Sequence, residues 1–121
     1  MKFLAVFLLI FLFPSKTHSF DRWSDADKTR EIVYLTLHAA DWGQTLDISK
    51  NPTLHTEGNP ILGEHPSVGR VNSYFVATAL LHVGAVHVLP AAWRPAFQYF
   101  WIGVEAGVVH HNYKAGLRFN F

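Results

Sequence analysis

The feature that most constrains this chain is a long stretch almost free of charge. From Val71 to Trp93 there is no Asp, Glu, Lys or Arg, and from Pro95 to Tyr113 only Glu105 breaks the pattern. Each segment holds about 20 residues, which at a helical rise of roughly 1.5 Å per residue spans roughly 30 Å, the thickness of a bilayer's hydrocarbon core. The link between them, Pro90-Ala91-Ala92-Trp93-Arg94-Pro95, is bracketed by proline. A connection this short makes neighbouring helices antiparallel. The stretch therefore predicts a helical hairpin, transmembrane if lipid surrounds it and the core of a small soluble bundle if water does.

Composition narrows the choice of function more than of fold. A chain of 121 residues allows one domain. Half of it is hydrophobic (50%) and only 16% is charged, a shortage in a small protein with much surface to cover. The mean hydropathy of +0.12 is mild enough to keep a soluble bundle in play. A formal net charge of +1 gives no electrostatic case for nucleic acid. Cysteine is absent, which removes disulfides, thiolate chemistry, Cys-based metal centres and a lipoprotein anchor together.

Segment 1–19 reads as an export signal or an uncleaved N-terminal anchor. Lys2 gives the positive start, Phe3 to Phe13 the apolar run, and Thr17-His18-Ser19 a site for cleavage. Segment 20–121 is then a single helical domain with helices over about 24–50, 67–89 and 93–114. In the first helix Ser24 suits the N-cap, with Asp25 and Asp27 at the positive end of the dipole. Ile32, Leu35, Ala39, Trp42 and Leu46 form one apolar stripe, and Asn51-Pro52 ends the helix. A second stripe, Glu31, Tyr34, His38, Asp41 and Thr45, is the wet face of an amphipathic helix, unless both stripes are covered and its polar groups need partners.

The loop after it is punctuated by Pro52, Gly58, Pro60, Gly63, Pro66 and Gly69 and reads as ordered and turn-rich. Asn59-Pro60 favours a turn start, Gly63 suits positive φ, and Glu57 suits a helix cap. The next helix begins at Pro66 or Ser67.

Gln98, Glu105 and Asn112 lie seven residues apart and share one helix face. With the turn centred near residues 92 and 93, antiparallel registry sets Gln98 opposite His87. It sets Glu105 opposite Leu80, within a turn of Thr78 and His82, and Asn112 opposite Ser73. A carboxylate at bilayer depth costs about 3 kcal/mol on insertion scales, so Glu105 is expected either to carry a proton or to pair with a charged His82. Gly103 and Gly107, with Ala77, Gly84 and Ala85, would permit close approach. The candidate polar cluster is thus His38, Asp41, Thr45, Glu57, Asn59, Thr78, His82, Gln98, Glu105 and Asn112.

No spacing points to known chemistry. His82, Glu105, His110 and His111 offer a mixed nitrogen–oxygen metal set, but no His-Glu-x-x-His is present. Ser73 lacks a nucleophile-elbow context and no glycine-rich phosphate loop occurs. No catalytic residue and no cofactor are assigned. The tail Gly116 to Phe121 alternates like a barrel strand, but one strand after a helical chain makes no barrel.

The elements Asp41-x-x-Gln44-Thr45, Glu57-x-Asn59-Pro60-Ile61-Leu62-Gly63-x-His65-Pro66-Ser67, Arg70-Val71-Asn72-x-Tyr74-Phe75, then Glu105 and His111-Asn112 before Gly116 form a pattern. It resembles an uncharacterised family of small, signal-bearing, predicted membrane proteins of proteobacteria, over roughly Trp23 to Phe121. The resemblance implies membrane-associated helices and a bacterial origin, and transfers no catalytic residue.

The expectation is an all-α fold, one amphipathic helix plus an antiparallel, membrane-spanning hairpin, in the bacterial inner membrane with an exported N-terminal region. Its role would be structural or interactive, with the bilayer and a membrane protein or second copy as partners. The alternatives are a membrane-embedded enzyme or transport accessory using Asp41 and Glu105, a soluble periplasmic binding module, and a holin-like pore. One tension attends the membrane reading. With Phe20 exported and the first helix outside, the link at Arg94 faces the cytoplasm while Lys114 and Arg118 lie outside, against the positive-inside tendency.

Overall fold

The computed structural model describes residues 20–121; the expected export signal or anchor over 1–19 lies outside them. Among the described residues the chain is all-helical, with three helices and no strand: α1 Asp25–Lys50, α2 Val68–Val88 and α3 Arg94–Lys114. Local chemistry sets their ends. Ser24 Oγ accepts from Asp27 N at 3.0 Å and the Asp27 carboxylate accepts from Ser24 N at 2.9 Å, a reciprocal cap that satisfies two free amides. Asn51 closes α1 by donating back to Asp47 O at 3.0 Å before Pro52 forbids another turn. Ser67 Oγ caps α2 from Arg70 N at 3.2 Å. Pro95 sits in the first turn of α3, where its missing N–H costs nothing.

The loop is ordered around Asn59. Its Oδ1 accepts from Ile61 N at 3.0 Å and its backbone carbonyl from Leu62 N and Gly63 N, both at 3.1 Å. Gly63 takes φ +81°. Glu57 caps no helix; its carboxylate accepts from Asn59 N at 2.8 Å and stiffens the turn. Leu62 is thereby inserted into an apolar cluster with Leu46, Val71 and Phe75, edged by Trp42 and Tyr74. A second cluster at the opposite end joins Ala85, Val86 and Phe97, with Trp23, Leu89 and Trp101 against it.

The helices are arranged around α1. Its residues Glu31, His38 and Trp42 meet His82, Thr78 and Asn72 of α2 in descending order, so the two run antiparallel. Residues Asp27, His38 and Gln44 meet Arg94, Glu105 and Val109 of α3 in ascending order, so those two run parallel. α2 and α3 each lie along α1 and meet one another mainly at the link end, where Ala85 and Val86 pack with Phe97. The expected hairpin interface is therefore corrected: α2 and α3 are joined by a short link, but each packs on α1. Gly84, Gly103 and Gly107, expected at a close α2–α3 approach, face open space.

The polar stripe of α1 turns inward. Glu31, Tyr34, His38 and Thr45, wet on a solvated helix and in need of partners if covered, are buried, whereas Ile32 is 65% exposed. The expected apolar stripe divides along the helix: Ile32 and Ala39 face outward, while Leu46 is buried. Leu80, Leu81, Tyr99 and Phe100 are likewise exposed on α2 and α3. The reason lies in neighbours that a single-helix view lacks: both flanking helices present polar side chains to α1, and these must be met inside.

The tail returns along α1. Leu117 is buried, Arg118 N donates to Asp47 Oδ2 at 3.1 Å, Asn120 N donates to Gly43 O at 3.1 Å, and Lys50 Nζ donates to Asn120 O at 2.7 Å. The Phe121 ring covers Gly43, where an added Cβ would stand 2.6 Å from it. Because that ring is the far end of a flexible side chain, Gly43→Ala should displace it and leave the bundle folded, with α1 gaining about 1 kcal/mol of helix propensity. The Asn120 amide, which donates to Gly43 O, should then exchange faster than in the wild type at an unchanged or raised melting temperature. A marked fall in melting temperature would contradict this.

Candidate functional site

A run of polar side chains follows the inner face of α1 from end to end, each held by groups from α2 or α3. At the first end, Arg94 is fully buried, at 0% exposure. Its guanidinium donates to Val86 O at 2.8 Å, Asp21 O at 2.6 Å, Arg22 O at 3.1 Å, His87 O at 3.3 Å and Asp27 Oδ2 at 3.3 Å. The rigid fork of donors thus ties the entry to α1, the end of α2 and the start of α3 into one knot. Burial pushes the Asp27 carboxyl up, but the Ser24 amide and hydroxyl and the Arg94 guanidinium outweigh it and hold it below the ordinary value.

One turn further, Glu31 is 3% exposed and uses both oxygens. Oε1 lies 2.6 Å from His82 Nδ1, and Oε2 accepts from Gln98 Nε2 at 2.9 Å. Gln98 also donates to Asp27 O at 2.9 Å and accepts from Arg30 Nε at 2.8 Å. The His82 ring stacks on Tyr34 with centroids 3.5 Å apart. Its Nε2 is buried without a hydrogen-bond partner among the described residues.

The middle layer is centred on His38. Nε2 lies 3.1 Å from Phe75 O and 3.0 Å from Thr78 Oγ1. A backbone carbonyl only accepts, so Nε2 carries a proton and the ring's orientation is set. Nδ1 then faces Glu105 Oε1 at 3.1 Å, with the Tyr34 hydroxyl at 3.5 Å. Beyond it, Asp41 Oδ1 accepts from Thr45 Oγ1 and from Asn112 Nδ2, both at 3.3 Å. Asn112 also donates to Gln44 Oε1 at 3.2 Å, and Gln44 Nε2 to Val109 O at 3.1 Å. The Asp41 and Glu105 carboxyl groups lie within hydrogen-bonding reach of each other.

The structure thus brings together His38, Asp41, Thr45, Thr78, Glu105 and Asn112. It puts His82 and Gln98 in the separate layer built on Glu31. Glu57 and Asn59 stay in the loop, where Asn59 Nδ2 donates to the Tyr74 hydroxyl at 3.0 Å. The expected pairing of Glu105 with His82, and the registry of Gln98 with His87 and Asn112 with Ser73, are replaced by contacts to α1. Of the metal candidates, His82 and Glu105 belong to different layers while His110 and His111 are exposed. Among the described residues no group of three metal-ligating side chains converges.

Asp27, Glu31, Gln44 and Arg94 were not among the expected site residues. Glu31 shares a stripe with His38 and was legible as soon as that stripe is turned inward. Arg94 is the lone cation of an apolar stretch, the setting in which a buried arginine needs several carbonyls. No family model matches the chain, and no curated protein or solved structure matches it.

Two measurements check this geometry. A double-mutant cycle on Glu31 and His82 should give a coupling of about 1–3 kcal/mol, and one on Glu105 and His82 a coupling below about 0.5 kcal/mol. The reverse ranking would restore the pairing across the α2–α3 link. Because the folded carboxyl of Asp27 lies below its ordinary value of 3.8, its contribution is complete above that pH and is lost as pH falls further. Asp27→Asn should therefore lower the melting temperature at pH 7, with the gap to wild type closing only in more acid solution. A gap unchanged down to pH 2 would contradict the assignment.

Proposed function

We propose that the chain is a small helical membrane protein with a structural or interactive role, its three helices locked in register by the polar ladder on α1. The observation that carries this reading is the polarity of its two surfaces. Between Thr29 and Leu46 on α1, Val71 and Val86 on α2, and Ala96 and Val109 on α3, no exposed residue is charged. Of the ionisable groups within those bands, Glu31, His38, His82 and Glu105 are buried, while Arg30 and Asp41 are half-buried. In water the opposite distribution is favoured, because outward apolar side chains gain nothing there and inward charges must be desolvated. In lipid the distribution is the economical one.

α2 is long and apolar enough to cross a membrane by length and composition, with a mean hydropathy of 1.3. The uncharged band of α2 covers roughly 24 Å at 1.5 Å per residue, close to the core of a thin bilayer. α1 and α3 would lie beside it with their outward faces in the same lipid. Trp23 and Trp93 at one end and Tyr113 at the other suit the interfaces.

This arrangement also resolves the charge asymmetry. The start of α1 lies beside the α2–α3 link, as the bond from Ala91 N to Asp21 Oδ2 at 3.0 Å requires. With α1 itself spanning, an exported Phe20 carries the link outward too. Lys50, Arg70, Lys114 and Arg118 then gather on the cytoplasmic side, as the positive-inside tendency favours.

Carbonate washing of membranes from expressing cells tests the proposal. The chain should stay in the pellet and be released by detergent alone. Recovery in the aqueous supernatant would favour the soluble periplasmic module instead.

A further inference from the structure

The middle layer contains one contact that ordinary ionisation leaves unexplained. Glu105 is 8% exposed, and its Oε2 is buried without a donor among the N–H and O–H groups of the described residues. The carboxyl group in reach of Glu105 is that of Asp41. Two carboxylates are acceptors only, so a hydrogen bond between them exists only when a proton lies between them.

We propose that Asp41, Glu105 and His38 form a proton-binding site in which the two carboxyl groups share one proton and a second lies between Glu105 and His38 Nδ1. The charges balance. With Nε2–H committed to Phe75 O and Thr78 Oγ1, the two protons leave one carboxylic acid, one carboxylate and one imidazolium, with net charge zero. Every contact of the layer is then a hydrogen bond with a donor and an acceptor. Removing the shared proton sets two carboxylates against each other across the α1–α3 contact, so occupancy of the site is linked to helix packing.

The ionisable groups facing the pair come from each surrounding element. Tyr34 and His38 lie on α1, Tyr74 on α2 and Glu57 on the loop. Glu31 is the next acid along α1, already paired with His82. Asp41 is only half-buried and lies toward the loop end, beside Glu57 and the Asn59–Tyr74 bond, so proton exchange runs through that end. The other end is closed by Arg94 and its five acceptors. This inference goes beyond the membrane reading and stands or falls separately from it.

Infrared spectroscopy of the full chain at pH 7 tests the site. The wild type should show the C=O stretch of a protonated carboxyl, moving down in D2O and moving again when Asp or Glu carries ¹³C at its carboxyl. Asp41→Asn and Glu105→Gln should each abolish the band, whereas Glu64→Gln, in the exposed loop, should retain it. The isotope result on the wild type needs no variant to fold. Absence of the band at pH 7, or its survival in both variants, would overturn the proposal.

Discussion

The fold depends on the satisfaction of ionisable side chains along one face of α1. Glu31 needs His82 and Gln98; His38 needs Thr78, the Phe75 carbonyl and Glu105; Asp41 needs Thr45 and Asn112. A buried charge stripped of its partner costs about 3–5 kcal/mol. Each pair therefore acts as a register pin: a slip of one residue in α2 or α3 would orphan several charges at once. Apolar packing supplies the two ends, around Phe75 and Phe97, but it leaves the middle of the bundle to polar chemistry.

This explains why α1 is the spine although it is the least apolar helix. α2 brings His82 and Thr78 to it, and α3 brings Gln98, Glu105 and Asn112 at seven-residue steps. Those steps match the steps from Glu31 to His38 to Thr45 on a parallel neighbour, so the two faces stay in phase over several turns. Between α2 and α3 the printed polar contacts are those of Arg94 with the Val86 and His87 carbonyls at the link end, and Gly84, Gly103 and Gly107 face open space.

Much of this was legible in the sequence. The cap at Ser24, the stop at Asn51-Pro52, the turn at Asn59 and the positive φ of Gly63 follow from local chemistry that no tertiary contact overrides. The shared face of Gln98, Glu105 and Asn112 was also readable, because seven residues is close to two helical turns. What those residues meet was not readable. Periodicity says which side chains share a face; it does not say which of two other helices covers that face. The short link between α2 and α3 suggested an answer, yet adjacency along the chain left both helices free to turn their polar faces to α1.

The inversion of α1 has a different cause. Treating the polar stripe as wet assumes that water surrounds the helix, and the same stripe turns inward when the neighbours supply its partners. The orientation of α1 is thus the central claim, and a nitroxide scan from Thr29 to Leu46 in lipid vesicles tests it most directly. The chain has no native cysteine to interfere with single-site labelling. Collisions with dissolved oxygen should peak at Ile32, Val33, Thr36 and Ala39 and reach minima at Glu31, Tyr34, His38 and Thr45. Collisions with a water-soluble nickel chelate that peak at Glu31, His38 and Thr45 would contradict the account.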